Sequence, residues 1–491
     1  MTSALIAPPI LLLFLLLAQA YRIYAHNRAA DAYRFQAITA PTPPHAILVV
    51  SPHPDDESLG ASGLMQEAMK NGCQVHVVFL TCGDSFRVGV ASYYHKLRVQ
   101  PADYVRYGMM RQNEARAALG AIGLPPDHVT FLGYPDQGLL PIWQQHWSPA
   151  DPYTSPYSHA SSVPYSDAAA PGAPYCGQAI VRDLVAQIER DRPTDIYVTH
   201  PNDDHPDHET AAAYVDLAVT ELKESGESWA QQMAVHYFLV HRGDWPVPQG
   251  LNVAAPLAPP APMIRLDTMW RSLPVPPAMA TAKEHSLAQY QSQEEVMGRF
   301  LSSFVRKNEM FGQIGDQFSY LPVVPSGAVQ INGDAGVWPY MEPSVLDPEG
   351  DTILRDFQAG ADITAVYACS DKKALYLRMD TRGEIEEQMH YLFNVRCIDD
   401  SGQSPDKSLT VSFAPRLTPA GEPVQLKGGI TGAWQDHTVE VSIPLSRLGT
   451  PKSGLIFLEG RSKLTGLTID HTGIREIRVN FSNTLPQTPL S

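Results

Sequence analysis

Two hydrophobic patterns divide the chain. Between residues 46 and 304, short apolar runs alternate with stretches of helical periodicity. The apolar runs are AILVV (46–50), VHVVFL (75–80), VTFLGY (129–134), DIYVTH (195–200) and VHYFLVH (235–241). The helical stretches are residues 59–70, 104–122, 178–191, 206–223 and 282–304. Continuous apolar runs are typical of strands buried on both faces, so the alternation predicts an α/β fold: a Rossmann-like, mostly parallel sheet with helices on both faces.

The pattern changes near residue 324. Short strand-like segments now lie between turns rich in Gly, Pro, Asp and Asn, and long helical periods are missing. The clearest segments are ALYLRMD (374–380), MHYLFNV (389–395), LTVSF (409–413) and TVEVSIPL (438–445). This texture predicts an all-β sandwich domain. We therefore predict an α/β domain over residues 45–323 and a β-sandwich over residues 324–491.

Residues 141–176 interrupt the α/β rhythm. The segment is rich in Pro, Tyr, Ser and Ala and has no apolar period, which predicts a long loop. A loop of this length inside a compact domain is usually a functional rim or lid. Disorder is the alternative.

The first 30 residues contain a targeting signal. Residues 4–20 are uncharged and almost wholly apolar, and Arg22, Arg28 and Arg34 follow. The run lies at the short end of a membrane span, and positive charge after it favours a single anchor with a cytoplasmic catalytic domain. The alternative is a secreted protein whose signal peptide is cleaved after AQA (18–20), although no basic residue precedes the run.

Charge and cysteine content narrow the function classes. The net charge is −16, with 52 acidic and 36 basic residues, which opposes electrostatic binding of nucleic acid. The 5 cysteines form no CxxC pair and are too dispersed for a disulfide scaffold. Any metal site in this chain is therefore expected to use histidine and carboxylate ligands.

Two clusters of such residues follow predicted strands. HPDDE (53–57) comes after AILVV, and HPNDDHPDH (200–208) comes after DIYVT. Ligands of open parallel sheets bind at the carboxyl ends of strands, which is where both clusters lie. Helix capping explains one or two acidic residues at such a position, but not two clusters that combine His, Pro and Asp. Two imidazoles and one carboxylate would suit a catalytic zinc ion, with a further carboxylate as general base.

The order of motifs identifies a resemblance. Across residues 46–311 the chain resembles the PIG-L/LmbE family of zinc-dependent de-N-acetylases. The resemblance is carried by VVSPHPDDESLGASG, LTCGDSF, MRQNEARAALGAIG, FLGYPDQGL, THPNDDHPDH, HRGDWPVPQG and SLAQYQSQ. It implies hydrolysis of an N-acetyl group from an N-acetylglucosamine-type sugar or conjugate, which would be the binding partner. Zinc is the implied cofactor, although another divalent ion would also suit such ligands.

The resemblance also implies a role for each site residue. His53, Asp56 and His208 are the implied metal ligands. Asp55 is the implied general base that deprotonates the attacking water. His205, in its charged form, is the implied oxyanion-stabilising residue.

Further residues complete the implied site. Asp207 is expected to orient His205. Arg111 and Asp136 match positions that contact substrate, against the alternative of an ordinary surface Arg and a turn Asp. Glu57, Asp204 and His200 lie near these positions in the sequence. We expect the first two to support the site, whereas the third would either support it or simply end its strand.

Two other functions remain open at this level. One is a different metal-dependent hydrolase, such as a phosphoesterase, which would usually hold two metals. The other is a membrane-anchored sugar-binding protein with an inactive hydrolase domain. Because every motif position is filled, the sequence favours catalysis.

The C-terminal half resembles the carbohydrate-binding β-sandwiches attached to many sugar-active enzymes. The segments that carry this likeness include INGDAGVW (331–338) and VEVSIPLSRLG (439–449). Trp338, Tyr340 and Trp434 are candidate platforms for sugar rings, with burial in the core as the alternative.

Overall fold

The computed structural model describes residues 21, 33–315, 320–334, 336–351, 358–399, 406–449 and 453–480. The predicted anchor at residues 4–20 lies outside these residues, so its role stays a prediction. None of the described helices has both the length and the apolarity needed to cross a bilayer.

The N-terminal half contains an eight-stranded sheet. Its strands are β1 (Gln36–Ala37), β2 (Ala46–Ser51), β3 (Gln74–Thr81), β4 (Val129–Tyr134), β5 (Asp195–Thr199), β6 (Ala234–Phe238), β7 (Thr268–Pro274) and β8 (Asn308–Ile314). The strand order is β1-β7-β8-β6-β5-β2-β3-β4. Only the pairings of β8 with β6 and β7 are antiparallel among these neighbours. The predicted mostly parallel sheet is therefore confirmed.

Helices connect and cover these strands. They are α1 (Asp56–Lys70), α2 (Arg87–Tyr93), α3 (Pro101–Ala121), α4 (Leu139–Gln145), α5 (Gly177–Asp191), α6 (Pro206–Glu224), α7 (Pro277–Leu287) and α8 (Gln291–Ser302). They pack in two groups, with α1 and α3 against α7 in one and α4 and α5 against α6 in the other. Every residue of β5 is buried, as its continuous apolar run predicts.

Several boundaries differ from the sequence-based predictions. The long helix expected over 282–304 is two helices, α7 and α8, separated by a turn. The loop expected over 141–176 begins inside α4, whose 7 residues are too few to display a helical period. β7 and β8 were not predicted. β7 alternates buried and exposed positions irregularly, so its sequence lacks a continuous apolar run.

The C-terminal β-region, defined here as the described residues between 320 and 480, contains two antiparallel sheets. The first has the order β14-β15-β16-β11-β10-β9, and the second has β13-β12-β17-β18 with β19 beside β17. The strands are β9 (Val345–Leu346), β10 (Ile363–Ser370), β11 (Ala374–Thr381), β12 (His390–Asp399), β13 (Lys407–Phe413), β14 (Val424–Gln425), β15 (Thr431–Gln435), β16 (Thr438–Pro444), β17 (Ser453–Leu464), β18 (Leu467–His471) and β19 (Arg475–Asn480). Both sheets contribute to one hydrophobic cluster, so their inner faces pack together.

The three candidate sugar platforms have different environments. Trp338 is 2% exposed and packs in a small cluster of its own, so it is a core residue and not a surface platform. Trp434 is half-buried and its indole N–H donates to the carbonyl oxygen of Thr418. Tyr340 is 79% exposed. Sugar binding by the C-terminal β-region stays a prediction.

The C-terminal β-region packs directly on α6. Leu455, Phe457 and Ile474 join the hydrophobic core of the N-terminal half. Arg461 forms an ion pair with Glu209, which follows His208 in α6. The C-terminal β-region therefore packs against α6, the helix that carries the predicted metal ligand His208.

Candidate active site

The two predicted clusters meet because their strands are neighbours. β2 and β5 pair in parallel, so the loops that follow them emerge at the same edge of the sheet. The first loop leads into α1 at Asp56 and the second into α6 at Pro206. Pro is favoured at the first position of a helix, because its missing N–H is not needed there. The fold therefore brings His53 and His208 together, although 155 positions separate them.

Three predicted ligand atoms converge on one point. His53 Nδ1 lies 3.1 Å from Asp56 Oδ2 and 3.1 Å from His208 Nε2. His208 Nε2 lies 3.1 Å from Asp56 Oδ2. Ligands around a tetrahedral zinc ion at about 2.0–2.1 Å would be about 3.3 Å apart. Two imidazole nitrogens and one carboxylate oxygen at this spacing therefore fit a catalytic divalent metal.

Carboxylates fix the orientation of both imidazoles. His208 Nδ1 lies 3.2 Å from Asp203 Oδ1, and the other Asp203 oxygen accepts the N–H groups of Val240 and His241 at 2.9 Å. His53 Nε2 lies 3.2 Å from Asp207 Oδ2. A carboxylate on the far nitrogen fixes the tautomer that leaves the near nitrogen free to bind metal.

Asp55 lies beside this triad in an unusual conformation. Its φ is 127°, a region that non-glycine residues rarely adopt and that is often found at functional sites. Its Oδ2 accepts a hydrogen bond from Arg111 Nη2 at 3.0 Å. Burial raises the pKa of Asp55 to about 8; Arg111 opposes this shift, while Asp56 and Glu57 add to it. A carboxylate with this pKa can accept a proton near neutral pH.

Glu57 supports Asp55 as expected. Its Oε2 accepts the backbone N–H of Asp55 at 3.0 Å, and its Oε1 accepts the hydroxyl groups of Ser58 and Tyr290. These contacts hold the strained residue in place.

Arg111 is buried against Asp55 and lines the cavity. It also donates to the carbonyl oxygens of Pro54 and Gly83. Gly83 has φ +61°, and a Cβ there would lie 1.9 Å from Arg111 Nη1. The glycine of the LTCGDSF motif therefore provides the space through which Arg111 reaches Asp55.

Asp136 is buried beside His53. Its Oδ1 lies 3.3 Å from His53 Nε2, and its Oδ2 accepts the N–H of Ser85 at 2.8 Å. Burial opposes ionisation, but His53 outweighs it and lowers the pKa of Asp136 to about 2. The Asp136 N–H donates to Asp84, which also accepts the hydroxyl of Tyr165 at 2.8 Å. Tyr165 belongs to the segment 141–176, which thus supports the site from within the fold.

His205 and Asp207 depart from the expected arrangement. The Asp207 carboxylate contacts His53 and accepts the N–H groups of Gln137 and Leu139 at 2.6 and 3.0 Å. Its backbone N–H, and not its carboxylate, donates to His205 Nδ1 at 3.2 Å. Burial and nearby imidazoles lower the pKa of His205. His205 is therefore neutral here with its proton on Nε2, whereas the sequence predicted a charged ring oriented by the Asp207 side chain.

A cavity of about 170 Å³ opens over these residues. Its lining includes the polar residues His53, Asp55 and Asp136 and the apolar residues Phe86, Met297, Phe300 and Leu301. A pocket lined by apolar side chains and a few polar groups suits a small ligand of mixed polarity.

The site lies in a segment that matches a known protein family. Residues 48–219 match the PIG-L family model, described as GlcNAc-PI de-N-acetylase. The matched segment, called the PIG-L segment below, is thus similar to this family. It contains all eight predicted site residues.

Curated relatives that match this chain include proteins named as deacetylases. The 1D-myo-inositol 2-acetamido-2-deoxy-alpha-D-glucopyranoside deacetylase of Mycobacterium sp. (strain KMS) is 31% identical over 165 residues, 33% of this chain and 46% of the relative. The protein of the same name from Corynebacterium urealyticum is 28% identical over 190 residues, 38% of this chain and 51% of the relative. The chain thus spans about half the length of these relatives.

Solved structures that resemble part of this chain include a conserved protein and a sugar deacetylase. The conserved protein TT1542 from Thermus thermophilus has 20% identity and a TM-score of 0.33, covering 58% of this chain and 99% of that one. N,N'-diacetylchitobiose deacetylase from Pyrococcus horikoshii has 14% identity and a TM-score of 0.34, covering 54% of this chain and 82% of that one.

His241 joins the site from outside the PIG-L segment. Its ring lies 5.0 Å from that of His208 and stacks on Phe300 at 5.3 Å. It lines the cavity, and its ligand atom lies within 4.8 Å of those of Asp56 and His208. His241 opens the motif HRGDWPVPQG, but no role is predicted for it from the sequence. Its position at the end of a predicted strand was the available signal.

Two other candidates, His200 and Asp204, do not line this cavity. His200 is buried, 2.9 Å from the hydroxyl of Thr268, and its ring stacks on Trp270. Asp204 pairs with Arg242 at 2.7 Å. His200 therefore ends its strand inside the core, and Asp204 helps to fold the loop.

Proposed function

We propose that this protein hydrolyses the N-acetyl group of an N-acetylglucosamine-type sugar or sugar conjugate. The observation that carries the proposal is the convergence of the His53, Asp56 and His208 ligand atoms beside the Asp55 carboxylate. The match to the PIG-L model and to relatives named as deacetylases of a 2-acetamido sugar supports the same substrate class.

The three converging residues would hold a zinc ion, or another divalent ion that accepts nitrogen and oxygen ligands. A metal bound there would polarise the acetamide carbonyl and lower the pKa of a bound water. The far-side contacts of Asp203 with His208, and of Asp207 and Asp136 with His53, keep both rings aimed at this position.

Asp55 would remove the proton from the attacking water. Its ion pair with Arg111 fixes the carboxylate in position, and its raised pKa lets it hold that proton. A C–O bond forms at the carbonyl carbon, the C–N bond then breaks, and the nitrogen leaves with the proton. The products are acetate and a free amine.

His205 would stabilise the carbonyl oxygen as negative charge develops. Its Nδ1 accepts the Asp207 backbone N–H, so the neutral ring carries its proton on Nε2. This ring lines the cavity, where it can donate to the oxyanion.

The remaining cavity wall would receive the sugar. Phe86 and Phe300 offer apolar faces of the kind that pack on sugar rings. Gln137, whose side-chain oxygen accepts the hydroxyl of Tyr157 at 2.8 Å, also lines the cavity. We propose that this rim, including the segment 141–176, selects the substrate.

The test is acetate release by the purified full chain from a panel of N-acetylated amino sugars, together with a measurement of zinc per chain. We expect acetate release that stops on chelation and returns with zinc. Asp55→Asn should keep zinc and lose activity by a factor on the order of 10²–10⁴. The matched control is Asp127→Asn, because Asp127 is exposed, lies outside the segment 141–176 and does not line the cavity.

Either of two results would reject the proposal. One is a parent protein that binds no divalent metal. The other is an Asp55→Asn variant that releases acetate as fast as the Asp127→Asn control.

A further inference from the structure

A second group of carboxylates lies where the C-terminal β-region meets the N-terminal half. Asp347 directly follows β9, Asp351 lies four residues after Asp347, and Asp470 lies in β18. One oxygen of each carboxylate lies within 4.8 Å of those of the other two. None of the three is among the residues that form the proposed active site.

Asp347 and Asp470 are buried, Asp351 is partly buried, and Asp347 and Asp351 each have an oxygen without a hydrogen-bond donor among the described residues. Asp347 is 3% exposed and Asp470 is 6% exposed. Asp347 Oδ1 accepts the side-chain N–H of Asn202 at 2.8 Å, but Asp347 Oδ2 has no hydrogen-bond partner among the described residues. Asp351 Oδ1 is likewise without one there. A buried carboxylate oxygen without a donor is costly, so it indicates a missing positive partner.

The neighbouring cations do not balance the charge. Arg242 pairs with Asp351, but it also pairs with Asp204 at 2.7 Å. His471 opposes the rise in the pKa values of Asp351 and Asp470, but it pairs with Glu209 at 2.9 Å. Burial raises the pKa values of both Asp347 and Asp470, and the Asp351 charge adds to the shift. Without a further cation, these carboxyl groups would have to retain protons to remain buried.

We propose that Asp347, Asp351 and Asp470 bind a divalent cation, calcium in the first instance, at this junction. Calcium takes only oxygen ligands, at about 2.3–2.6 Å, so any two of its ligands lie within about 5 Å of each other. The carboxylate spacing satisfies this limit. The absence of nitrogen and sulfur from the three ligands distinguishes this site from the histidine-containing one and disfavours zinc.

The cation would couple the two halves of the chain. Asp347 bonds Asn202, which lies in the loop between β5 and α6, and Asp351 bonds Arg242, which follows β6. The same loop leads to His208. Calcium would therefore stabilise the docking of the C-terminal β-region against the loop that carries the active-site residues.

The experiment measures calcium binding and thermal unfolding of the full chain after removal of bound metal. We expect the parent to bind a single calcium ion and to unfold at a higher temperature when calcium is present. Asp347→Asn and Asp470→Asn should weaken binding on the order of tenfold or more. Each Asn keeps an oxygen to accept the existing bond from Asn202 or from the N–H of Ile363.

The unfolding temperatures of the two variants provide a second test, because the order of stability between variant and parent should change when calcium is added. In the absence of calcium, they should unfold at the same temperature as the parent or higher, because the amide removes the cost of burying a carboxyl group that lacks a cation. In calcium, the parent should be the more stable. Asp380→Asn is the matched control, since Asp380 is an Asp of the same region that pairs with Arg378; it should bind calcium as the parent does.

Two outcomes would overturn the proposal. The first is a parent that binds neither calcium nor magnesium nor manganese, which would mean that the carboxyl groups share protons instead. The second is unchanged calcium binding in both Asp347→Asn and Asp470→Asn. A cooperative thermal unfolding transition, measured in the same samples, shows that each variant is folded.

Discussion

Asp55 combines burial, a strained backbone and an ion pair with Arg111. Each feature depends on a different neighbour: Glu57 holds its N–H, Arg111 holds its carboxylate, and Gly83 leaves room for the guanidinium. At the scale of single residues, the general base is thus defined by the contacts around it as much as by its own side chain.

The Gly83→Ala variant tests the role of that space. The new Cβ would overlap Arg111, so we expect Arg111 to move and kcat to fall about tenfold or more as Asp55 loses its partner. Gly172→Ala is the control, because Gly172 also has a positive φ, +79°, but nothing within 4 Å of its added Cβ. Steady-state kinetics of both variants would decide. Equal losses of kcat would mean that backbone strain, and not the position of Arg111, is responsible.

Zinc affinity should fall as pH falls. Burial opposes protonation of His208, but Asp56 and Asp203 outweigh it and raise the pKa of His208 to about 9 in the metal-free protein. A metal binds the unprotonated ring, so below this pKa binding must release the proton. We expect about a tenfold loss of affinity per pH unit for each proton released. Zinc competition titrations between about pH 6 and pH 8 measure this slope, and a flat profile would contradict it.

At the scale of elements, β5 and β2 provide the frame on which the ligands sit. Their parallel pairing brings the two loops to one edge, and α1 and α6 begin beside the ligands. The loop after β5 folds back on itself, since Asp203 accepts backbone N–H groups from His205, Val240 and His241. Asp203 therefore connects this loop to the chain that follows β6.

Asp203→Asn tests whether that connection positions His208. The amide oxygen can still accept backbone N–H groups, but the carboxylate charge next to His208 Nδ1 is lost. We expect zinc affinity to fall by about 10–100-fold. Asp195→Asn is the control: Asp195 contacts His236 at 2.9 Å at the opposite end of β5. Comparable zinc affinity in the two variants would rule out a positioning role for Asp203.

At the scale of the whole molecule, the C-terminal β-region shares a buried charged interface with α6. Glu209 and Glu459 both pair with Arg461, and Glu209 also lies 2.9 Å from His471. Both glutamates and the arginine are buried, so each depends on the others for compensation.

Arg461→Leu should strongly destabilise the protein. Removal of the guanidinium leaves Glu209 and Glu459 buried without their partner, which costs about 3–5 kcal/mol. Arg116→Leu is the control, because the Arg116–Asp167 pair is partly exposed and is expected to contribute about 0–1 kcal/mol. Urea unfolding of both variants measures the difference. A loss for Arg461→Leu no larger than that of the control would mean that the interface is not held by this ion pair.

The sequence alone determined the α/β order of the first half, the antiparallel texture of the second half, and the clusters around His53 and His208. These features are local, because apolar runs, turn residues and motifs each consist of residues that are neighbours in the sequence. β7 was not predicted, because its mixed pattern of buried and exposed positions shows no clear period. α7 and α8 were predicted as one helix, because both fit one continuous helical pattern.

Only the tertiary structure decided which distant groups meet. The Asp207 carboxylate contacts His53 because β5, which precedes α6, pairs with β2, which precedes His53. His241 reaches the cavity because β6 lies beside β5. Asp347 meets Asn202 because the C-terminal β-region docks on the N-terminal half. Such contacts depend on strand order and on the docking of the C-terminal β-region, which bring together residues far apart in sequence. A local motif can therefore predict the metal ligands, but it cannot predict the neighbouring groups that set their orientation and their pKa values.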